Sequence, residues 1–280
     1  MPFKKLGLAI TFSPNGQALL IEAKRLQMLF NSELILIHVG EKTREAHELL
    51  TQLIIKSGLD ISSTKVIWEN GDPAKVIINK CYDENIDLLL AGALEKENFL
   101  NYYIGSVARR ILRSAPCSVL ILTAPSTSPK PLKKFCISVD FSLESENTMK
   151  KAYEFALLEN AVQFILIREF LVPGLAMTIQ DSGSTQDTEK IRNQWQEEEI
   201  AKLKIFVKEL NLTQIDVKIV CLYGRQGWEA NKYVRDVNGD ILVISGPKKE
   251  LKLFDRIFQH DAEFIYKQLP CSLLVIKSGI

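Results

Sequence analysis

Four short stretches of this chain put small, polar or glycine residues where an apolar run stops: Thr11-Phe12-Ser13, Val39-Gly40, Ala91-Gly92-Ala93 and Gly105-Ser106. The last stands directly before Val107-Ala108-Arg109-Arg110, which reads as the start of a helix. The first N–H groups of a helix have no partner inside it, and the helix dipole adds positive potential there. The chemistry this suits is the binding of an anion, phosphate above all. A glycine at position 92 leaves no Cβ to hold a phosphate away from the backbone. Taken singly, Ser106 is an ordinary helix cap and Gly92 a tight turn after a strand.

Other chemistry finds little support. The chain has only three histidines, and neither a Ser-His-Asp set nor a His-x-x-x-His pair occurs. His38 at a strand end reads as structural. His260-Asp261 with Glu263 reads as a capped, partly exposed histidine, because neighbouring residues on a helix point in different directions. Cys81, Cys117, Cys136, Cys221 and Cys271 are scattered, with no Cys-x-x-Cys pair. Packing accounts for them better than redox sensing does. Trp195 and Trp228 read as core or loop-packing residues, and Phe254, Phe258, Phe264 and Tyr266 as core or interface. No catalytic residue and no metal ligand is assigned.

The elements that must position these residues alternate. Leu6 to Phe12, Leu34 to Val39, Thr64 to Trp68, Asp87 to Ala91 and Ser118 to Thr123 have the length and apolar content of buried strands. Gln17 to Phe30, Arg44 to Ser57, a segment opening at Gly71-Asp72-Pro73-Ala74, and Val107 to Ser114 carry helical spacing between them. Strands separated by helices imply right-handed crossovers and a parallel sheet with helices on both faces. In such a sheet a ligand lies beyond the carboxyl ends of the strands, where the strand order reverses.

The pattern then repeats. Arg113-Ser114-Ala115-Pro116-Cys117-Ser118-Val119-Leu120-Ile121-Leu122 returns as Lys267-Gln268-Leu269-Pro270-Cys271-Ser272-Leu273-Leu274-Val275-Ile276. Leu8-Ala9-Ile10-Thr11-Phe12-Ser13 returns as Ile137-Ser138-Val139-Asp140-Phe141-Ser142. The sequence therefore predicts two similar α/β domains, 1–124 and 132–280, joined by a proline-rich linker at 125–131. Each is expected to be an open five-stranded parallel sheet of nucleotide-binding-like form, lying beside its copy about an approximate two-fold. The second copy reads as strands Phe135 to Val139, Val162 to Ile167, Ile215 to Tyr223, Ile241 to Ser245 and Ser272 to Lys277. Its helices read as Glu144 to Leu158, Glu189 to Leu210, Trp228 to Val237 and Asp261 to Gln268, with a surface loop over 171–188.

Composition bounds the class. The 280 residues are 46% hydrophobic and 25% charged, as in an ordinary globular protein, with a net charge of +1. That balance offers no electrostatic footprint for nucleic acid or an anionic membrane. No apolar run approaches the roughly 20 residues of a membrane span, and the N-terminus lacks a secretory core. A cytoplasmic location is the expectation.

Both copies resemble universal stress protein domains over nearly the whole chain apart from the linker and the 171–188 loop. Nucleotide-binding members of that family carry a phosphate motif Gly-x2-Gly-x9-Gly-Ser/Thr, an aspartate after the first strand and a valine after the second. Gly92 and Gly105-Ser106 match the motif's ends, and Val39 matches the adenine position. The resemblance implies an ATP or other adenine nucleotide site in the first copy formed by Thr11, Phe12, Ser13, Val39, Gly92, Gly105, Ser106 and Val107. Glu95 stands at the second glycine and Thr11 at the aspartate. A carboxylate about 5 Å from a phosphate costs about 3 kcal/mol at an effective dielectric of 20; a metal ion or Lys96 would offset it. The second copy keeps the aspartate, Asp140, and offers Gly246 for the first glycine. Ser245-Gly246-Pro247-Lys248-Lys249 lacks the second, and Gln259-His260-Asp261 replaces Gly-Ser, so that copy reads as degenerate.

The leading reading is a tandem, non-enzymatic stress-response binding module with an intramolecular pseudo-dimer paired through Ser118–Thr123 and Ser272–Lys277. A homodimer and an unknown protein partner are compatible with it, and weak nucleotide hydrolysis is compatible with its site. The alternative is a structural or partner-binding protein of the same fold without nucleotide. An adenylating ATP pyrophosphatase ranks last, because its Ser-Gly-Gly-x-Asp-Ser type of loop follows the first strand of neither copy.

Overall fold

In the computed structural model, residues 1–62, 64–95, 102–172, 185–225, 227–246 and 265–277 are described. The first half runs β1 (Lys5–Ala9), α1 (Gly16–Phe30), β2 (Glu33–Val39), α2 (Arg44–Lys56), β3 (Lys65–Glu69), α3 (Pro73–Asp83) and β4 (Leu88–Gly92). A short antiparallel pair, β5 (Leu94–Glu95) and β6 (Tyr102–Tyr103), precedes α4 (Ser106–Ser114) and β7 (Ser118–Leu122). The second half runs β8 (Lys134–Ser138), α5 (Leu143–Leu158), β9 (Gln163–Phe170), α6 (Thr185–Glu209), β10 (Asp216–Tyr223), α7 (Trp228–Asp236), β11 (Ile241–Ser245) and β12 (Ser272–Ile276).

Strands and helices alternate as the apolar pattern predicts. Asparagine ends many of the helices: Asn31, Asn85, Asn160, Asn211 and Asn238 each take a positive φ just beyond one. A short polar side chain tolerates that left-handed backbone and turns the chain toward the next strand. The loop expected over 171–188 is shorter at its end, since α6 already begins at Thr185. Residues 173–184 and the first half of the helix expected at 261–268, residues 261–264, lie outside the described residues. Residues 124–133 form no helix or strand, as the prolines require.

The two five-stranded parallel sheets expected from the sequence do not stand apart but are joined into one. Ten strands form one sheet in the order β10-β9-β8-β11-β12-β7-β4-β1-β2-β3. Every neighbouring pair is parallel except β12 and β7, which are antiparallel. Edge-to-edge pairing of the two last strands fuses the sheets, and continuity does not abolish the symmetry. Leu120 pairs with Leu274, its own counterpart in the repeat, and Val119 and Ile121 pair with Val275 and Leu273. Thr123 N donates to Ser272 Oγ at 3.2 Å, and Lys277 N donates to Ser118 Oγ at 3.2 Å. These two bonds exchange under a two-fold through Leu120 and Leu274.

Both faces of the sheet are covered across this seam. One face carries α1, α2, α5 and α6 over Leu120, Leu122, Leu274 and Ile276; the other carries α3, α4 and α7 over Val119, Ile121, Leu273 and Val275. On the first face the Phe30 and Phe155 rings meet edge-on at 4.9 Å. Beside them, Arg25 donates to Glu159 through both terminal nitrogens, at 2.9 and 2.7 Å, and to Glu22 at 2.8 Å. The Glu159 side chain is 1% exposed. A carboxylate so placed is tolerable only while the guanidinium stays beside it. Replacing Arg25 by methionine strands Glu159 and Glu22, and a loss of about 3–5 kcal/mol is expected in urea unfolding. A loss below about 1 kcal/mol would show that water reaches these carboxylates and that the triad does not hold the halves.

Candidate functional site

The strand order places β1 next to β4 at the point where the chain's connections diverge to opposite faces. The loop after β1 leads to α1 on one face, and the loop after β4 leads to α4 on the other. A crevice at such a switch point is where an open parallel sheet binds its ligands. Thr11, Phe12, Ser13, Ser106 and Val107 are exposed at this end of the sheet, with Val39, Gly92 and Gly105 half-buried.

The phosphate side of the crevice is built on α4. Gly105 is the N-cap residue of that helix and has no side chain with which to cap it, and the first turn contains no acidic residue. Its first amides therefore keep their pull on an anion. A Cβ on Gly92 would meet Leu19 Cδ1 at 3.0 Å, so this glycine lets α1 approach the end of β4. Glu95, the residue at the second-glycine position, lies in β5 opposite Tyr102, exposed to solvent. Neighbouring residues of a strand face opposite ways. Leu94 is the one turned to α4, with its Cδ1 2.8 Å from where a Gly105 Cβ would stand. The sequence singles out Glu95 as the obstacle at this loop; the structure sets Leu94 over Gly105.

The base side divides. Val39 packs with Ile35, Ile37 and Ile67 on the face that carries α3 and α4. Phe12 belongs to a different group on the other face, since its ring lies 4.5 Å from His38, which lies 4.5 Å from Trp68. His38 Nδ1 is 3.0 Å from Ile10 O, and because a carbonyl only accepts, Nδ1 carries the proton. Trp68 Nε1 donates to Gly40 O at 2.9 Å. His38 is thus structural, as its place in the sequence suggests. Asp72 caps α3 through Lys75 N and holds Arg110 of α4 at 2.7 Å. The Arg110 hydrogen bond, then that of Lys75 N, keeps the Asp72 carboxyl below its ordinary range.

The second half fills the corresponding places with other groups. Val139 N donates to Ile167 O as Ile10 N does to Ile37 O, which sets Arg168 at the place of His38 and Glu169 at that of Val39. Gly246 N donates to Ile276 O as Ala93 N does to Leu122 O. Gly246 is therefore the counterpart of Ala93, and the assignment of Gly246 to the first glycine is corrected by one residue. Ser245 stands at Gly92's place, its hydroxyl 3.0 Å from that of Thr148. A Cβ on Gly246 would meet Ile276 O at 3.1 Å, so backbone packing explains this glycine. Asp140 accepts from the amide and the hydroxyl of Ser142 and so holds the turn before α5. Lys248, Lys249, Phe254, Phe258, His260 and Asp261 lie outside the described residues.

Glu169 is the residue the sequence reading missed. It is buried, and its carboxylate accepts from Gly227 N at 2.8 Å and Ala230 N at 2.7 Å, capping α7 from another strand. A cavity of about 180 Å³ beside it is lined by Arg168, Phe170, Trp195, Glu199 and Gly224 among others. Arg168 pairs with Glu199 at 2.7 Å and lies 5.1 Å from the Phe141 ring centre. The available signal was Arg168-Glu169, two charged residues inside an otherwise apolar strand. Trp228 departs from the packing role read for it, being half-exposed. Among the described residues, no group of three His, Cys, Asp or Glu side chains is placed to hold a metal ion. No helix among them is long and apolar enough to cross a membrane.

The fold and crevice define an α/β protein of nucleotide-binding-like form. Residues 40–123 match the universal stress protein family. No curated protein matches the sequence. Among solved structures, a universal stress protein from Archaeoglobus fulgidus DSM 4304 is 16% identical, with 98% of each chain covered and a TM-score of 0.71. A functionally unknown protein from Pseudomonas aeruginosa PAO1 is 18% identical, with 98% of this chain and 92% of that one covered and a TM-score of 0.68. At these identities the likeness is one of fold.

Burial pushes the Glu169 carboxyl up, against the pull of the Gly227 and Ala230 amides. A carboxyl raised on folding contributes most below its unfolded pKa of about 4.3 and loses that contribution as pH rises through the folded value. Glu169→Gln should therefore gain stability relative to the unaltered chain as pH is raised above about 4.3, in paired urea titrations. A relative gain by the unaltered chain instead would mean that the amides outweigh burial.

Proposed function

We propose that the chain is a tandem universal stress protein whose first domain, 1–124, binds an adenine nucleotide. Its second domain, 132–280, reached through the 125–131 linker, has lost that capacity. The observation that carries this reading is the glycine-headed, acid-free N-terminus of α4 at Gly105-Ser106, beside Gly92 in the switch-point crevice. The phosphates would lie over Gly92, Gly105 and Ser106, with Val39 toward the base. In the second domain a buried carboxylate, Glu169, takes the place of Val39 and replaces the apolar contact a base would need. The protein acts in this reading as a cytoplasmic binding and signalling module that holds its nucleotide rather than turning it over. Its domains serve each other as partners, and an effector protein reads the bound state.

A second reading, a partner-binding protein without nucleotide, is favoured by one feature: Leu94 covers Gly105. Nucleotide extracted from freshly purified protein, together with calorimetry using MgATP, separates the two. An adenine nucleotide bound once per chain is expected, and Ser106→Ala should weaken it by about 1 kcal/mol for one lost hydrogen bond. Leu94→Gly should strengthen binding more than Glu95→Gly does, because Leu94 is the side chain over the amides. No binding in the Leu94→Gly variant, or a nucleotide seated against Asp140 and Gly246, would overturn the assignment.

A further inference from the structure

Helix α4 belongs to the first half in sequence, yet the second half holds both of its ends. Ahead of its N-terminus, Ile104 N donates to Tyr266 O at 3.0 Å and Leu269 N donates to Tyr102 O at 2.9 Å. Tyr102 and Leu269 thereby form an antiparallel bridge between the halves. Ile104 and Leu269 are 1% and 4% exposed, so water does not compete freely for these bonds. The next residue after Ile104 is Gly105, the cap of α4, and Ile104 O accepts from Arg109 Nε at 2.8 Å. At the other end, Lys277 Nζ donates to Ala115 O at 2.6 Å and to Arg113 O at 3.3 Å. An ammonium there completes the last turn and complements the negative end of the helix dipole. Burial pulls the Lys277 ammonium below its ordinary pKa, so the position costs something to keep charged.

The same segment is tied onward. Gln268 O accepts from Asn231 Nδ2 at 2.8 Å, and Asn231 lies on α7, the helix whose N-terminus Glu169 caps. Hydrogen bonds and the short backbone steps between them thus link the N-terminus of α4 to the altered crevice of the second half.

We infer that Lys277 and the Tyr266–Leu269 segment are positioning elements for the first-half phosphate site, so that the second half sets where the amides of α4 point. The inference rests on the nucleotide reading of that site. Coupling between sites is reciprocal: what the second half does for the ligand, the ligand does for the second half. An anion drawn to Gly105-Ser106 steadies Ile104, and with it the bonds to Tyr266 and Leu269. Lys277 Nζ meets α4 at its far end, at Arg113 and Ala115, so a change there reaches Gly105-Ser106 by way of the helix.

The test uses the full chain with MgATP as the probe. Hydrogen exchange is measured with and without it, alongside calorimetry on Lys277→Met and Lys277→Arg. MgATP is expected to slow exchange at Ser106 to Arg109 and also at Leu269. Lys277→Met should weaken MgATP about tenfold, within the usual range of coupling between sites, with the Arg variant recovering most of the loss. If MgATP protects Ser106 to Arg109 while Leu269 exchange and the affinity of Lys277→Met stay unchanged, the positioning role is overturned and the nucleotide reading stands. If the unaltered chain and Leu94→Gly both fail to bind MgATP, the reading falls and this inference with it. Should Lys277→Met fail to fold, exchange at Leu269 in the unaltered chain decides the question.

Discussion

The antiparallel pairing of β7 with β12 is the interaction on which the rest of the molecule depends. Each strand is the last of its half, and both are buried along their whole length. Left apart, each would be an exposed apolar edge with a row of unpaired amides and carbonyls, an open template for aggregation. Paired, they bring the two halves into one sheet and align both faces at once. The Phe30–Phe155 contact and the Arg25–Glu159 bridge on one side, and the Tyr102–Leu269 bridge on the other, all require that alignment.

Around this symmetric centre the two crevices differ. The backbone repeats closely: Gly71 and Gly224 both take large positive φ values before their helices, and matching amides reach matching carbonyls. The side chains at corresponding points diverge, with Val39 against Glu169 and Gly92 against Ser245. The fold therefore constrains where a ligand would sit, while a few side chains decide whether one is accepted. The amides that open α7 are met by the Glu169 carboxylate from β9, whereas those of its counterpart α3 are met by Asp72, the residue just before that helix.

Much of the fold was legible in the sequence because it depends on local pattern. Apolar runs of strand length, helical spacing, prolines at 125–131 and the returning Pro-Cys-Ser segment each carry their meaning within a few residues. The expected boundaries mostly fall within a few residues of those observed. What was not legible depends on contacts distant in sequence. The β5–β6 pair has no strong strand pattern and is braced by Leu269 from the other half. Leu94, not Glu95, faces Gly105 because a two-residue strand fixes which side chain turns inward. Glu169 looks like a misplaced charge until the amides of Gly227 and Ala230 are seen to meet it. The register of Gly246 follows only once the bonds to β12 are known.

The linker at 125–131 has a thermodynamic consequence. Were the seam to form between separate chains, its occupancy would fall on dilution, and every substitution would appear on both sides of it. On one chain a short, proline-rich connection keeps the partner strand within reach at a high effective concentration. Assembly of the sheet is then independent of how much protein a cell contains. A change such as a buried carboxylate can also arise in one crevice while the other stays as it was. Dilution leaves the asymmetry intact, because both crevices travel on one molecule.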